Sequence, residues 1–135
     1  MDQKGKCMCG AVSYVASQVE SGIHACHCSM CRQWSGGPGF SSSVGSVAFE
    51  GEANITRYQS SDWAERGFCT KCGCNLFYYL KEANHYIMCV GTFEDQSQFT
   101  LTSEIYIEEK PAGYNFAGDH LRQTGDEFLA AMQGD

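Results

Sequence analysis

His24-Ala25-Cys26-His27-Cys28-Ser29-Met30-Cys31-Arg32-Gln33-Trp34-Ser35-Gly36-Gly37 is the stretch from which the rest of this 135-residue chain is read. Three cysteines stand at C-x-C-x-x-C spacing. On an extended backbone Cys26 and Cys28 point to the same side, because side chains alternate with a period of two. The two residues before Cys31 allow a tight turn that returns the third sulfur to the first two. Three thiolates converging in this way suit one soft metal ion. A structural zinc site closes with four protein ligands, whereas a working site keeps one position open. His27, between two ligands, is expected to point away from the metal, at the surface or behind the site.

The other cysteines sharpen the choice. Cys7 and Cys9 form a C-x-C near the start of the chain, and Cys69 and Cys72 form a C-x-x-C some way on. The simplest partition gives Cys7, Cys9, Cys69 and Cys72 to a closed structural site and leaves Cys26, Cys28 and Cys31 with an open position. The alternative completes the second site with Cys74, Cys89, His24 or His27. Gly10 and Gly73 follow the last ligand of their groups. They are expected to relieve crowding and to leave their N–H groups free for the sulfurs.

Nine cysteines cannot all pair within one chain, and C-x-C neighbours are poor disulfide partners. With a polar Met1–Lys6 segment that does not resemble an export signal, the expectation is a reducing, cytoplasmic setting and metal ligation. The formal net charge of -7 and the scatter of the 9 basic residues argue against nucleic acid and against an anionic membrane surface. No apolar run is long enough to span a bilayer.

Short stretches of β-branched and aromatic residues recur between glycine turns, predicting a mainly β chain. Strands are expected near Val12–Ala16, Ile23–Cys28, Phe40–Val44, Ser46–Glu50, Asn54–Ser60, Asn75–Leu80, Tyr86–Phe93 and Glu104–Glu108. Ser29–Trp34 reads as one helical turn. Thr124, with Glu127 three residues on, reads as a capping box opening a short C-terminal helix. Residues 1–135 read as a single domain.

C-M-C-G from Cys7, C-H-C-S-M-C-R from Cys26, F-C-T-K-C-G from Phe68 and I-Y-I-E-E-K-P from Ile105 resemble the glutathione-dependent formaldehyde-activating enzyme family, also called the centromere-protein-V/GFA family. The resemblance runs from Cys7 to about Tyr114. It implies an Mss4-like fold of two sheets around zinc, and two zinc ions per chain. Cys7, Cys9, Cys69 and Cys72 would hold the structural zinc, and Cys26, Cys28 and Cys31 the active-site zinc. It implies a carbon–sulfur lyase that condenses glutathione with formaldehyde, so that the partners are a small thiol and an aldehyde. Gly113 stands where many relatives carry tryptophan, and Cys74 where serine or threonine is frequent.

Arg32 could clamp a carboxylate of a glutathione-like ligand with its forked donors. Trp34 and Phe40 could wall a pocket, although such aromatics also serve as core. Two readings of another class stand beside the enzyme: a non-catalytic zinc module that binds a protein partner, and a thiol or metal sensor.

Overall fold

The computed structural model describes residues 2–133 and is mainly β, as the sequence predicts. The chain gathers into two compact units. The first comprises Met1–Ser21 and Ser41–Phe99, and the second Gly22–Phe40 and Thr100–Asp135.

In the first unit, β1 (Gln3–Lys6), β2 (Ser13–Ser17) and β5 (Ser46–Glu50) form a three-stranded antiparallel sheet in the order β1-β2-β5. Ser41–Ser43 of β4 (Gly39–Ser43), whose first two residues belong to the second unit, then β9 (His85–Cys89), β8 (Asn75–Leu80), β7 (Ala64–Cys69) and β6 (Ile55–Tyr58) follow one another as antiparallel neighbours. Alternation along β2 buries Tyr14 and Ala16, and these join Val12, Val44, Leu76, Phe77, Met88 and Phe93 in an apolar core. Cys7 and Cys69 belong to that same buried cluster, so the Cys7, Cys9, Cys69 and Cys72 group is anchored in the core.

β1 is polar, and nothing in its pattern announces a strand. Its place is set by Gly5, where a Cβ would lie 2.2 Å from the Tyr14 ring. The bare glycine backbone lets the buried tyrosine cross beneath it.

The second unit is built differently. β3 (Gly22–Cys26), β10 (Thr100–Ile105) and β11 (Leu121–Arg122) run parallel, with β10 in the middle. α1 (Ser29–Ser35) follows β3, and α2 (Gly125–Gln133) closes the described chain. Ala25 is buried, but so are His27, Ser103 and Glu104, giving this unit a largely polar interior.

The strand expected over Glu104–Glu108 lies earlier. β10 ends at Ile105 because Tyr106 takes a left-handed conformation, φ 55°, and residues Ile107–Glu109 turn into a short 3-10 helix. The capping box forms as expected. The Glu127 amide donates to Thr124 Oγ1 at 3.1 Å, and the Thr124 amide donates to Glu127 Oε1 at 2.9 Å.

Candidate metal centres and the buried network behind the three-cysteine turn

Cys7, Cys9, Cys69 and Cys72 place their sulfurs within 4.8 Å of one another. The Cys7–Cys9 and Cys9–Cys69 separations are 3.7 and 3.8 Å. These are far longer than a disulfide, about 2.05 Å. A tetrahedron with metal–sulfur bonds of about 2.3 Å has edges of about 3.8 Å, so the spacing fits a four-thiolate zinc.

Backbone amides support the sulfurs, but not those of the two glycines. The Gly10 and Gly73 amides donate to the carbonyls of Cys7 and Cys69, at 3.2 and 2.8 Å. Nothing lies within 4 Å of a Cβ built at either glycine, so crowding is not the reason for them. Their φ values, 80° and 75°, are the reason. That left-handed turn carries later amides onto the thiols, among them Val12 N–H to Cys7 Sγ at 3.4 Å.

The sulfurs compete for charge. Cys72 is pulled down to about 6, first by the Cys74 amide and then by that of Cys9. Cys9 feels the Ala11 amide pulling it down, yet burial and the neighbouring thiols push it up to about 11. A divalent cation is what allows all four to be thiolates together.

In the second unit Cys26, Cys28 and Cys31 bring their sulfurs within 4.8 Å of one another. Cys28 is the N-cap of α1, and its sulfur accepts the Cys31 amide at 3.4 Å. The helix therefore fixes Cys31 relative to Cys28. Gly36, with φ 78°, ends the helix and donates to the Arg32 carbonyl at 2.9 Å. Hydrogen bonding to Cys28 and Cys31, then burial, raises the Cys26 thiol well above its ordinary value. Among the described residues neither Cys74, Cys89, His24 nor His27 joins the group.

The two histidines are engaged elsewhere. His24 Nδ1 pairs with Ser103 Oγ at 2.5 Å. His27 is not a surface residue: it is 0% exposed, and its Nε2 lies 2.7 Å from Glu104 Oε1. Glu104, 1% exposed, spends its other oxygen on His120 Nε2 at 2.5 Å and Arg122 Nε at 3.0 Å. Burial works against the Glu104 carboxylate, but His120, His27 and Arg122 together hold its pKa below the ordinary range. Arg122 also donates to the carbonyls of Phe116 and Gly118, at 2.9 and 3.0 Å, tying the loop before β11 to the network.

The late I-Y-I-E-E-K-P motif is the fastening of this unit. Glu109 Oε1 accepts the Ser29 amide at the start of α1, at 3.0 Å. Glu108 accepts the Gly125 amide at the start of α2, at 3.0 and 3.1 Å. Lys110 Nζ donates to the Tyr114 carbonyl.

Of the expected substrate contacts, Arg32 sits in the last turn of α1, and its Nε donates to the His27 carbonyl at 2.9 Å. Phe40 is 40% exposed and packs on Phe116, with centroids 5.4 Å apart. Trp34 is half-buried on α1. A Cβ at Gly39 would lie 3.7 Å from Cys31 Sγ, so the start of β4 runs against Cys31. Sequence reading missed Glu104, Tyr114, Phe116, His120 and Arg122. Glu104 opened an expected strand, but nothing in the sequence marked it as part of a site.

The profile described as glutathione-dependent formaldehyde-activating enzyme matches residues 2–109. The chain belongs to that family. Along almost its whole length the chain is also similar to an uncharacterized lyase of Schizosaccharomyces pombe, 32% identical over 134 residues and 97% of each chain. A Halomonas elongata protein whose name carries the same family description is 30% identical over 86 residues, 56% of this chain and 55% of that one. The crystal structure of a Rhodobacter sphaeroides protein shares the fold, with a TM-score of 0.56 at 22% identity. It covers 88% of this chain and 98% of the other.

Proposed function

We propose that this GFA-family chain is a zinc-dependent carbon–sulfur lyase. It joins a small thiol, glutathione, to formaldehyde or a related aldehyde at the three-cysteine group. The observation that carries the reading is the contrast between the two sulfur groups. One offers four sulfurs at tetrahedral spacing, and the other offers three with no fourth donor among the described residues. A closed four-thiolate site contributes folding energy, whereas a three-thiolate site leaves a coordination position for a ligand. Family membership and the name of the fission-yeast lyase agree with this reading.

Cys7, Cys9, Cys69 and Cys72 hold a structural zinc in this proposal, and Cys26, Cys28 and Cys31 hold the active-site zinc. They act as ligands, not as covalent nucleophiles. Zinc bound at the second site would supply one thing, a preference for the thiolate form of an incoming thiol near neutral pH. The chain's own residues position the substrates: in this proposal Arg32 takes a glutathione carboxylate, and Trp34 and Phe40 wall the site. The reaction forms one S–C bond. The carbonyl π pair moves to oxygen, and the thiol proton ends on that oxygen as the product hydroxyl. The whole chain works as a single domain, in the cytoplasm.

Metal analysis with calorimetry against glutathione tests the proposal. The expected result is two zinc ions per chain and thiol binding, with one zinc and no thiol binding in Cys28→Ser. Two zinc ions without thiol affinity would instead favour a non-catalytic zinc module. Two zinc ions retained in Cys28→Ser would refute the three-ligand site.

A further inference from the structure

The two sulfur groups differ in exposure as well as in number. In the four-cysteine group each local pair has a buried member, Cys7 at 1% and Cys69 at 0% exposed. In the second unit Cys26, Cys28 and Cys31 are all partly exposed. Thiol–disulfide exchange needs access to both sulfurs that are to be joined. A dissolved disulfide therefore meets that condition at the three-cysteine group and not at the local pairs of the other.

Geometry selects one pair within the three. Cys28 is the N-cap of α1, and Cys31 lies three residues on. The Arg32 amide donates to the Cys28 carbonyl at 3.0 Å and closes the first helical turn over them. Residues three apart on such a turn have Cα atoms about 5 Å apart, inside the range of about 4.4–6.8 Å that a disulfide spans. The Cys28 sulfur already leans over that turn. It accepts the Cys31 amide at 3.4 Å, and the two sulfurs lie within 4.8 Å of each other. Cys26 is the poorer partner. It ends β3, and Cys28 is extended, with φ -61° and ψ 154°. Two extended steps of about 3.3 Å set those Cα atoms near the upper limit, with the side chains side by side. A Cβ at Gly39 would lie 3.7 Å from Cys31 Sγ, so β4 covers Cys31 on one side and leaves Cys28 as the point of first attack.

We infer that Cys28 and Cys31 form a dithiol switch in the proposed active site, closed by glutathione disulfide. The inference rests on the proposed thiol–aldehyde reaction, because a site that takes glutathione also meets the disulfide built from the same peptide. The Cys28 thiolate attacks one sulfur of that disulfide, forming a mixed disulfide and expelling one glutathione thiolate. The Cys31 thiolate then attacks Cys28 Sγ, and the second glutathione thiolate leaves. One S–S bond is broken and one is formed, and two electrons pass from the chain to glutathione disulfide. Cys26 alone remains as a donor, too few for a zinc site. The second zinc is released and the first is kept. Excess glutathione reverses the exchange. The site thus closes when its thiol substrate has been converted to disulfide and reopens when the thiol returns.

Zinc-replete wild type in buffers of stepped glutathione to glutathione disulfide ratio tests the switch. Released zinc is read with a chromogenic chelator, and intact mass and non-reducing peptide maps read the sulfurs. The expected result is loss of one of two zinc ions, a chain lighter by two hydrogens and a Cys28–Cys31 link. Dithiothreitol with added zinc should restore the starting state. Cys26→Ser should still close the link, and Cys31→Ser should stop at a glutathione adduct on Cys28. Where either variant does not fold, the wild-type peptide map decides alone.

Unchanged zinc and mass in excess glutathione disulfide overturn the switch and leave the proposed reaction standing. A link through Cys26, or release of both zinc ions together, also overturns it. A Cys28–Cys31 link with zinc release in a chain that calorimetry shows not to bind glutathione overturns that reaction and leaves the switch standing.

Discussion

Replacing Glu104 by glutamine puts the polar interior of the second unit under direct test. The substitution keeps size and shape but exchanges a carboxylate for one acceptor oxygen and one NH2 donor. The carboxylate accepts from His27, His120 and Arg122, at 2.7, 2.5 and 3.0 Å. His27 is 0% exposed and the His120 side chain 7%, so those two bonds lie in a weakly screened interior. Arg122 is 38% exposed, and its share is discounted for solvent. The glutamine oxygen can retain one histidine, and its NH2 then meets the other donors. One charge-assisted bond is lost, at about 1.5–3 kcal/mol, and retautomerising a histidine recovers part of any donor–donor clash. The expected destabilisation is about 2 kcal/mol at pH 7, or roughly 8 °C in Tm for a chain of this size.

The sign of the pH dependence follows from the depressed pKa of Glu104. Its stabilisation is fully present above the unfolded-state value, about 4.3, and is lost as pH falls through the lower folded value. The gap between wild type and Glu104→Gln should therefore be full at pH 7 and narrow in acid. Urea unfolding of both proteins, zinc-replete, from pH 7 down to pH 4 measures it. A gap under about 0.5 kcal/mol at neutral pH, within the range of an ordinary surface change, would refute the reasoning. So would a gap that widens as the pH drops.

Other consequences are equally specific. Gly5→Ala drives a methyl to 2.2 Å from the Tyr14 ring, and the buried tyrosine has little room to yield. The urea midpoint should fall by the equivalent of about 1–3 kcal/mol. Thr124→Ala removes the oxygen that accepts the Glu127 amide, so hydrogen exchange over the first turn of α2 should speed up about fivefold with little change in global stability. Cys9→Ser should lower zinc content from two ions to one and unfold the first unit, since that group is seated in its apolar core, whereas Cys28→Ser should lose one zinc with the first unit's unfolding transition intact. Metal analysis paired with thermal unfolding separates the two variants.

The cysteine groups were legible because thiol chemistry is local. C-x-C and C-x-x-C spacings fix which sulfurs can converge, and the 4 and 3 partition matches the two groups that assemble. The strands over Ser46–Glu50 and Asn75–Leu80 were legible for a similar reason, since β-branched and aromatic alternation is a property of a few neighbours. What failed depended on partners distant in sequence. β1 is a strand only because Gly5 covers Tyr14, and Glu104–Glu108 looked continuous until Tyr106 turned left-handed. His27 and Glu104 meet across 77 positions, and no period along the chain announces that.

The parity argument that opened the reading nonetheless explains why that meeting matters. In Cys26-His27-Cys28 the middle side chain leaves the backbone on the face opposite the two sulfurs. His27 is hydrogen-bonded at both ends of its residue, through its amide to the Ile105 carbonyl at 3.1 Å and through Nε2 to Glu104. Fixing it therefore fixes the peptide units that carry Cys26 and Cys28. Cys31 is then set from Cys28 by the helix cap, and the cap is itself held by Glu109. Glu104 of β10 and Glu109 beyond its end thus hold the backbone that carries all three sulfurs. Partners that orient a ligand set from behind ordinarily matter to metal affinity by about 10–100-fold. The late acidic motif is the counterpart of the cysteine turn, and Glu104 ties that turn to His120 and Arg122.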